Sequence, residues 1–269
     1  MSRGGVARRL GIDYETLSAI NPALIYCRIT GFGVRSAAAE RPVTDPMMQA
    51  YSGLLVAGGQ VTEDGLPKGA SATAIADYTT GLGAVAAVCA ALYHRRTSGR
   101  GQLIDSSLLR AALTVQDTNV MREPVSDVTM REPAVKAVEE IRLRGGSYQE
   151  MIAARNGIRS QSMTFRLYSG PYQAKDGVVM LGALTPHSRA GARHVLGITD
   201  DPTIRPIEDL GSPEVARQLQ ELKRHIEATV RSRTVAEWLE AFESEGVPAA
   251  PVNFPELMAD DPIVQACLL

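Results

Sequence analysis

The sequence predicts an α/β protein in which a layer of helices and parallel strands is followed by a smaller α+β domain. Two observations support this fold class. Strand-like and helix-like segments alternate from residue 24 to residue 115, an order typical of a parallel sheet covered by helices. Further along, a Lys-Asp-Gly turn at residues 175–177 separates two strand-like runs, a pattern typical of a β-hairpin and therefore of antiparallel strands.

Apolar patterning predicts the elements of the first half. Residues 24–29 are β-rich and end in Thr-Gly-Phe-Gly, so a buried strand closed by a turn is expected. Residues 45–56 have apolar side chains at helical spacing, which predicts one short helix. Residues 77–96 are alanine-rich and apolar on nearly every face, which predicts a buried helix. Residues 102–105 predict a second strand, and Asp105 or Ser106 caps the next helix.

A domain boundary is expected where charged residues become dense, after residue 122. We assign residues 1–125 to part of a large domain, 126–162 to a connection, 163–255 to a small α+β domain and 256–269 to the start of a return to the large domain. The hairpin of residues 166–173 and 178–184 opens the small domain. Ser212 before Pro213, and Thr234 with Glu237, predict two capped helices, and Trp238 is expected in the core beneath them.

Composition excludes several classes of function. The 28 basic and 30 acidic residues are dispersed and give a formal charge of -2, so nucleic acid is not an expected partner. No signal peptide is visible and we find no apolar run of membrane-spanning length, so a cytoplasmic protein without a membrane partner is expected. The three cysteines are far apart and predict no disulfide. Cys27 and Cys89 lie in apolar runs and are expected to be buried.

Asp77 is the residue that stands out chemically. The chain has no GxGxxG, P-loop, GxSxG or HExxH motif, and its histidines lie beside Arg or Lys, so neither a metal site nor a His-dependent hydrolase is expected. Asp77 begins the most apolar helix in the sequence. Position alone favours a helix cap, which stabilises a helix by about 1 kcal/mol. The alternative is a nucleophile that the helix dipole keeps ionised.

Four separated blocks of sequence resemble the family III (CaiB/BaiF-type) CoA-transferases in order and spacing. This superfamily includes formyl-CoA transferase, carnitine CoA-transferase and α-methylacyl-CoA racemase. The blocks are residues 3–11 with 20–27 and 30–33; residues 41–45 with 49–53; residues 76–81 with 96–102 and 104–109; and residues 175–177 with 233–238, 246–253 and 261–264. Each block alone is a weak signal, but together they cover nearly the whole chain.

The resemblance implies a partial Rossmann-like large domain, a small domain and an interlocked homodimer. It also implies that Asp77 attacks an acyl-CoA thioester, giving first a mixed anhydride and then an aspartyl-CoA thioester. CoA and acyl-CoA are therefore implied as substrates together with a carboxylic acid, and no permanently bound cofactor is implied.

The same resemblance implies which residues bind CoA. Arg9 and Arg3 are placed near the nucleotide phosphates, where guanidinium groups suit multivalent anions. Pro42, Thr44 and Asp45 match the segment on the pantetheine and thioester side, and Asp45 takes the place of an acid near the active site. An ordinary surface charge for the arginines, and a helix cap for Asp45, remain the alternatives.

The chain departs from the family pattern at its ends and in one loop, and at Thr44 it differs from the racemase in particular. Family members are longer, so parts of the large domain are expected to be missing at both ends, and a fragment that needs a partner chain is an alternative function. Only Gly157 remains of a glycine-rich flap found in some transferases. The racemase, a further alternative, has a proton-abstracting histidine where this chain has Thr44, and threonine cannot act as that base near neutral pH. A transferase is therefore preferred.

Overall fold

The fold consists of two compact units. A computed structural model of the chain describes residues 4–68, 73–160, 167–204 and 213–268. One unit extends to Ile158 and the other begins at Arg159. The first contains a parallel pair of strands, and the second contains an antiparallel three-stranded sheet. The predicted fold class is confirmed, while the finer division at residues 125, 162 and 255 stays a prediction.

A parallel strand pair joined by a long helix organises the first unit. Its elements are α1 (Gly4–Arg9), α2 (Tyr14–Ile20), β1 (Tyr26–Thr30), α3 (Asp45–Tyr51), α4 (Leu54–Ala57), α5 (Ile75–Ser98), β2 (Leu103–Ser107), α6 (Leu108–Thr114), α7 (Asp117–Val120), α8 (Pro124–Ser126), a π-helical turn (Asp127–Arg131), α9 (Glu132–Leu143) and α10 (Tyr148–Ser160). In the ladder, Tyr26 lies opposite Leu103 and Thr30 opposite Ser107. Both strands therefore end at the same edge of the sheet, and the two chain segments that follow them meet there.

The helix predicted at residues 45–56 is two helices. Gly53 lies between α3 and α4 with a φ of 83°, in the left-handed region that glycine adopts without strain. The turn at Gly53 leaves α3 as a short helix of seven residues, which begins close to the end of β1.

The composition of the long helix α5 predicted that it would be buried on every side, but the helix is buried on one side only. Its buried residues are Ala76, Thr80, Ala84 and Ala91, which lie on one stripe that faces the sheet and α6. Several large apolar residues of α5 are exposed, namely Tyr78, Leu82, Val85, Leu92 and Tyr93. An apolar composition therefore did not predict which faces of α5 are buried and which are exposed.

Two other expectations about apolar runs are wrong. Among the residues that the structure describes, α5 is long and apolar enough to cross a membrane, contrary to the expectation that no run reaches that length. A single helix of this kind is weak support for a membrane span, since core helices of soluble proteins meet the same criteria. Cys27 and Cys89 are exposed rather than buried.

The second unit packs helices against a small antiparallel sheet. Its elements are β3 (Ser169–Gln173), β4 (Val178–Gly182), α11 (Pro186–Leu196), a 3-10 turn (Pro202–Ile204), α12 (Pro213–Val230), α13 (Val235–Ser244), β5 (Ala249–Pro251), a second 3-10 turn (Pro255–Asp260) and α14 (Pro262–Leu268). Strands β3 and β4 form the predicted hairpin, and β5 pairs with the other edge of β4. Ser212 and Arg166 lie outside the described residues.

The Thr234 capping box is confirmed at the start of α13. The Glu237 N–H donates to the Thr234 hydroxyl oxygen at 3.3 Å, and the Thr234 N–H donates to the Glu237 carboxylate at 2.7 Å. The backbone N–H of Thr234 above all, and then its hydroxyl, which donates to the same carboxylate at 2.8 Å, lower the pKa of Glu237 from its ordinary value. Because the folded-state pKa is lowered, this half of the box stabilises the fold above the ordinary pKa and is lost as the pH falls through the lowered value.

We expect Thr234→Ala to reduce the free energy of unfolding by about 1 kcal/mol, because the Glu237 N–H loses its acceptor. Urea denaturation followed by far-UV circular dichroism measures the change. Ser244→Ala is the matched control, since that hydroxyl donates only to the Ala241 carbonyl on an exposed last turn. If both variants lose the same free energy, the capping box contributes nothing specific.

Candidate active site

The chain that leaves β1 folds back tightly over the strand end. A Cβ on Gly31 would overlap the side chain of Val43, so only glycine permits this approach. The Gly31 carbonyl accepts a hydrogen bond from the Leu109 N–H at 3.0 Å, which ties the loop to α6. Phe32 contacts the Tyr51 ring edge-on, with centroids 5.0 Å apart. These contacts fix the start of α3 at the carboxyl edge of the sheet.

The carboxylate of Asp45 bonds both to its own helix and to α5. Asp45 is the first residue of α3 and is only 4% exposed. One oxygen accepts from the Gln49 side-chain amide at 2.5 Å, and the other accepts from the Asp77 backbone N–H at 2.9 Å. Thr44, at the N-cap of α3, makes no side-chain capping bond. Asp45 was a possible cap of its own helix in the sequence analysis, but its carboxylate instead caps the first turn of α5.

Asp77 lies in the first turn of α5, three residues after the N-cap position. The prediction that Asp77 is the N-cap residue of this helix is therefore wrong. The N-cap residue is Ala74, which has no side chain able to form a capping bond. The Asp77 side chain is exposed, whereas Ala76 and Thr80 beside it are buried. Within the described part of the chain, the Asp77 carboxylate has no hydrogen-bond or ion-pair partner. It is a free carboxylate on a fixed backbone, at the helix end whose dipole favours negative charge.

A small apolar core supports this turn from below. Met48 from α3, Ala76 from α5, and Leu108 and Ala112 from α6 form one buried cluster. The buried Thr80 hydroxyl donates to the Ala76 carbonyl at 2.6 Å inside the helix, so this hydroxyl has a partner. Since three helices share this core, rotation of the first turn of α5 would disrupt packing in all of them.

The other predicted binding residues are only partly brought together. Thr44 precedes Asp45 and is exposed, as is Pro42 two residues earlier, so both lie on the chain segment that reaches α5. Arg9 is exposed at the end of α1, and no contact between described residues joins it to Asp77. Arg3 lies outside the described residues. The roles of these four residues in CoA binding stay predictions.

Sequence reasoning missed two arginine-containing cavities in the first unit. A cleft of about 290 Å³ is lined by Arg8 and Arg28, and the only sequence signal for it is the pair of arginines that ends α1. A cavity of about 700 Å³ opens at the ends of β1 and β2, where Arg35 and Arg110 line it. Neither cavity includes Asp77. The candidate nucleophile therefore lies on a surface and not inside these cavities.

Between the two cavities, Arg28 and Asp105 form a paired cross-strand contact. The guanidinium donates to both carboxylate oxygens, at 2.6 and 2.8 Å. The hydrogen bond from Arg28 holds the pKa of Asp105 below its usual range, and it raises the pKa of Arg28. This ion pair joins β1 to β2 just before the strand ends, so we interpret it as part of the sheet and not as a reacting group.

The comparisons with known proteins agree in the family that they indicate. The family model described as CoA-transferase family III matches residues 2–267. Succinate–glutarate CoA-transferase of Agrobacterium fabrum is 30% identical over 98% of this chain and 58% of that protein. Acetyl-CoA:oxalate CoA-transferase of Acetobacter aceti is 27% identical over 98% of this chain and 62% of that protein. This chain thus spans about three fifths of the length of these relatives.

Solved structures support the fold. The crystal structure of Rv3272 from M. tuberculosis, in its orthorhombic form, matches with a TM-score of 0.72 at 21% identity, over 100% of this chain and 63% of that chain. A CaiB/BaiF family protein from Brucella suis matches with a TM-score of 0.59 at 25% identity, over 98% of this chain and 62% of that chain.

Proposed function

Because the chain belongs to CoA-transferase family III, we propose that it transfers CoA from an acyl-CoA to a carboxylic acid, with Asp77 as the nucleophile. The observation that carries this proposal is the exposed Asp77 carboxylate on a first turn of α5 that the buried Asp45 holds by a hydrogen bond. Relatives named as succinate–glutarate and acetyl-CoA:oxalate CoA-transferases support small carboxylic acids as the substrate class.

The transfer needs no redox partner and no net proton. A carboxylate oxygen of Asp77 attacks the thioester carbonyl, the C–S bond breaks, and the CoA thiolate leaves behind a mixed anhydride. The thiolate then attacks the aspartyl carbonyl, which releases the donor acid and forms an aspartyl-CoA thioester. The acceptor carboxylate attacks this thioester in the same way, and the returning thiolate takes the new acyl group and frees Asp77.

The position of Asp77 suits the first step of this cycle. The thioester carbonyl must be able to reach a nucleophilic carboxylate, and the exposure of the Asp77 side chain permits this approach. Water also reaches an exposed carboxylate, and an anhydride hydrolyses readily. We therefore propose that bound substrate, or further polypeptide in the whole protein, covers Asp77 during turnover.

The remaining parts of the proposal concern CoA binding and assembly. We propose that Arg9, with Arg3, meets the CoA phosphates, and that Pro42 and Thr44 border the pantetheine arm. We also propose that the protein works in the cytoplasm as a homodimer. Light scattering on the purified protein measures its mass, and a monomer that still turns over substrate would contradict the dimer.

Covalent trapping tests the nucleophile. The purified protein is incubated with succinyl-CoA, treated with hydroxylamine, and mapped by peptide mass spectrometry. We expect a hydroxamate on Asp77, because the aspartyl carbonyl is activated in both proposed intermediates, the anhydride and the thioester. Asp64→Asn is the matched control, since Asp64 is another exposed aspartate of the same unit, and this variant should be labelled like the unsubstituted protein.

Two results would contradict the proposal. One is a correctly folded protein that gives no label on Asp77 when unreacted succinyl-CoA remains. The other is solvent deuterium entering the α-carbon of a 2-methylacyl-CoA with Asp77 unlabelled, which would favour the racemase-like alternative. A protein that binds CoA at equilibrium without any label or turnover would favour the alternative of a fragment that needs a partner chain.

A further inference from the structure

We infer that Asp45 is a positioning residue: it fixes the first turn of α5, and so the direction of Asp77, and it does not contact CoA. The functional part of this inference rests on the proposed role of Asp77. The structural part, a link from α3 to α5 through one buried carboxylate, rests on geometry alone.

Burial separates Asp45 from its neighbours on the chain. Thr44 and Pro46 on either side of it are exposed, while Asp45 and Gln49 are 4% and 5% exposed. A side chain so enclosed has little surface to offer to a ligand. Its two oxygens already accept bonds from the Gln49 amide and from the Asp77 N–H. The Asp45 carboxylate is therefore used within the protein.

The geometry of the pair explains how the link stays rigid. Gln49 lies four residues after Asp45, the spacing that brings two side chains of a helix into contact. Its amide holds one carboxylate oxygen, which leaves the other aimed at the Asp77 N–H. Met48 and Ala76, each completely buried, pack beneath the two helices at the same place. Polar and apolar contacts thus fix the same turn.

Loss of the hydrogen bond between Asp45 and the Asp77 N–H should affect the rate of the chemical step and not the binding of acyl-CoA. Loss of the link should let the first turn of α5 fray, so that Asp77 spends less time in the direction of attack. A misplacement of this kind reduces the rate of the chemical step, whereas loss of a CoA contact weakens the binding of acyl-CoA. The two roles of Asp45 are therefore separable by kinetics.

Three single variants at positions 45 and 49, and one double variant, test the inference. Asp45→Leu removes both acceptors and replaces the carboxylate with a larger apolar side chain, and it should lower the maximal rate of Asp77 acylation by succinyl-CoA by about 100-fold. The half-saturating concentration should change little. Asp45→Asn keeps an acceptor for the Asp77 N–H and should retain most of the rate. Gln49→Glu places two carboxylates face to face and should be slow, but combining it with Asp45→Asn restores a donor between them and should recover the rate.

Amide hydrogen exchange tests the structural part of the inference independently of the kinetics. Amide hydrogen exchange at the start of α5 should become about tenfold faster in Asp45→Leu, the equivalent of one lost hydrogen bond. Asp127→Leu is the matched control, because Asp127 is a buried carboxylate of the same unit whose ion-pair partner is Arg122, outside α5. This control should leave exchange at the start of α5 and the acylation rate unchanged.

The following results would contradict the positioning role of Asp45. Unchanged exchange and an unchanged rate in Asp45→Leu would overturn the inference. A weaker apparent affinity with an unchanged maximal rate, or an Asp45→Asn variant as slow as Asp45→Leu, would also overturn it, because either result points to a contact of the charge with substrate. If the unsubstituted protein gives no label on Asp77, the proposed function fails, and hydrogen exchange alone still tests the link.

Discussion

Asp77→Asn should lower the rate of CoA transfer by a factor on the order of 10⁴, the scale of loss seen when a covalent nucleophile is removed. The amide that replaces the carboxylate is too weak a nucleophile to attack a thioester, so neither the anhydride nor the aspartyl-CoA thioester forms. The fold should persist, because the Asp77 side chain is exposed and makes no bond within the described residues. Loss of its interaction with the helix dipole should cost less than about 1 kcal/mol.

The measurement is the transfer of CoA from succinyl-CoA to glutarate, followed by separation of the two thioesters. Thermal unfolding of the same samples shows whether the fold is kept. Asp77→Glu keeps a carboxylate but moves it outward by one methylene, and we expect a rate between those of Asp77→Asn and the unsubstituted protein. If Asp77→Asn keeps more than a tenth of the rate, another group performs the attack.

Asp77 shows why local sequence could not define this site. Its place before an apolar run predicted a cap, but α5 begins two residues earlier, at Ile75, and so Asp77 falls in the first turn. The carboxylate that bonds this turn comes from Asp45, 32 residues away. No local pattern contains such a bond. The resemblance to a family selected Asp77 as the candidate nucleophile, whereas the hydrogen bond that fixes its backbone is visible only in the structure.

Local chemistry predicted the second unit better. The Lys175-Asp176-Gly177 turn determines the hairpin, and the capping box of Thr234 and Glu237 determines the start of α13, because each signal lies within a few residues. Strand β5 was missed. It has three residues, ends at Pro251 and exists because its backbone pairs with β4, about 70 residues earlier in the chain.

Trp238→Ala should reduce the free energy of unfolding of the second unit by about 3–5 kcal/mol, the range for deletion of a large buried aromatic side chain. Trp238 is 1% exposed and stacks on Phe242, with ring centroids 5.5 Å apart. Its indole N–H donates to the Val230 carbonyl at 2.8 Å, and the Arg233 guanidinium lies 4.8 Å from its ring centroid. The deletion therefore leaves a cavity and also an unpaired buried carbonyl.

Comparison with Trp238→Phe separates these two losses. The phenyl ring fills most of the space but has no N–H, so this variant should lose about 1–2 kcal/mol, mainly from the orphaned Val230 carbonyl. Tyr93→Ala, at an exposed aromatic position of α5, is the surface control and should change the free energy of unfolding by less than about 0.5 kcal/mol. Denaturation should be followed by circular dichroism, because Trp238 is the only tryptophan and the variants lose its fluorescence. If Trp238→Ala and Trp238→Phe were equally destabilised, the hydrogen bond and not the filled volume would hold α13 against α12.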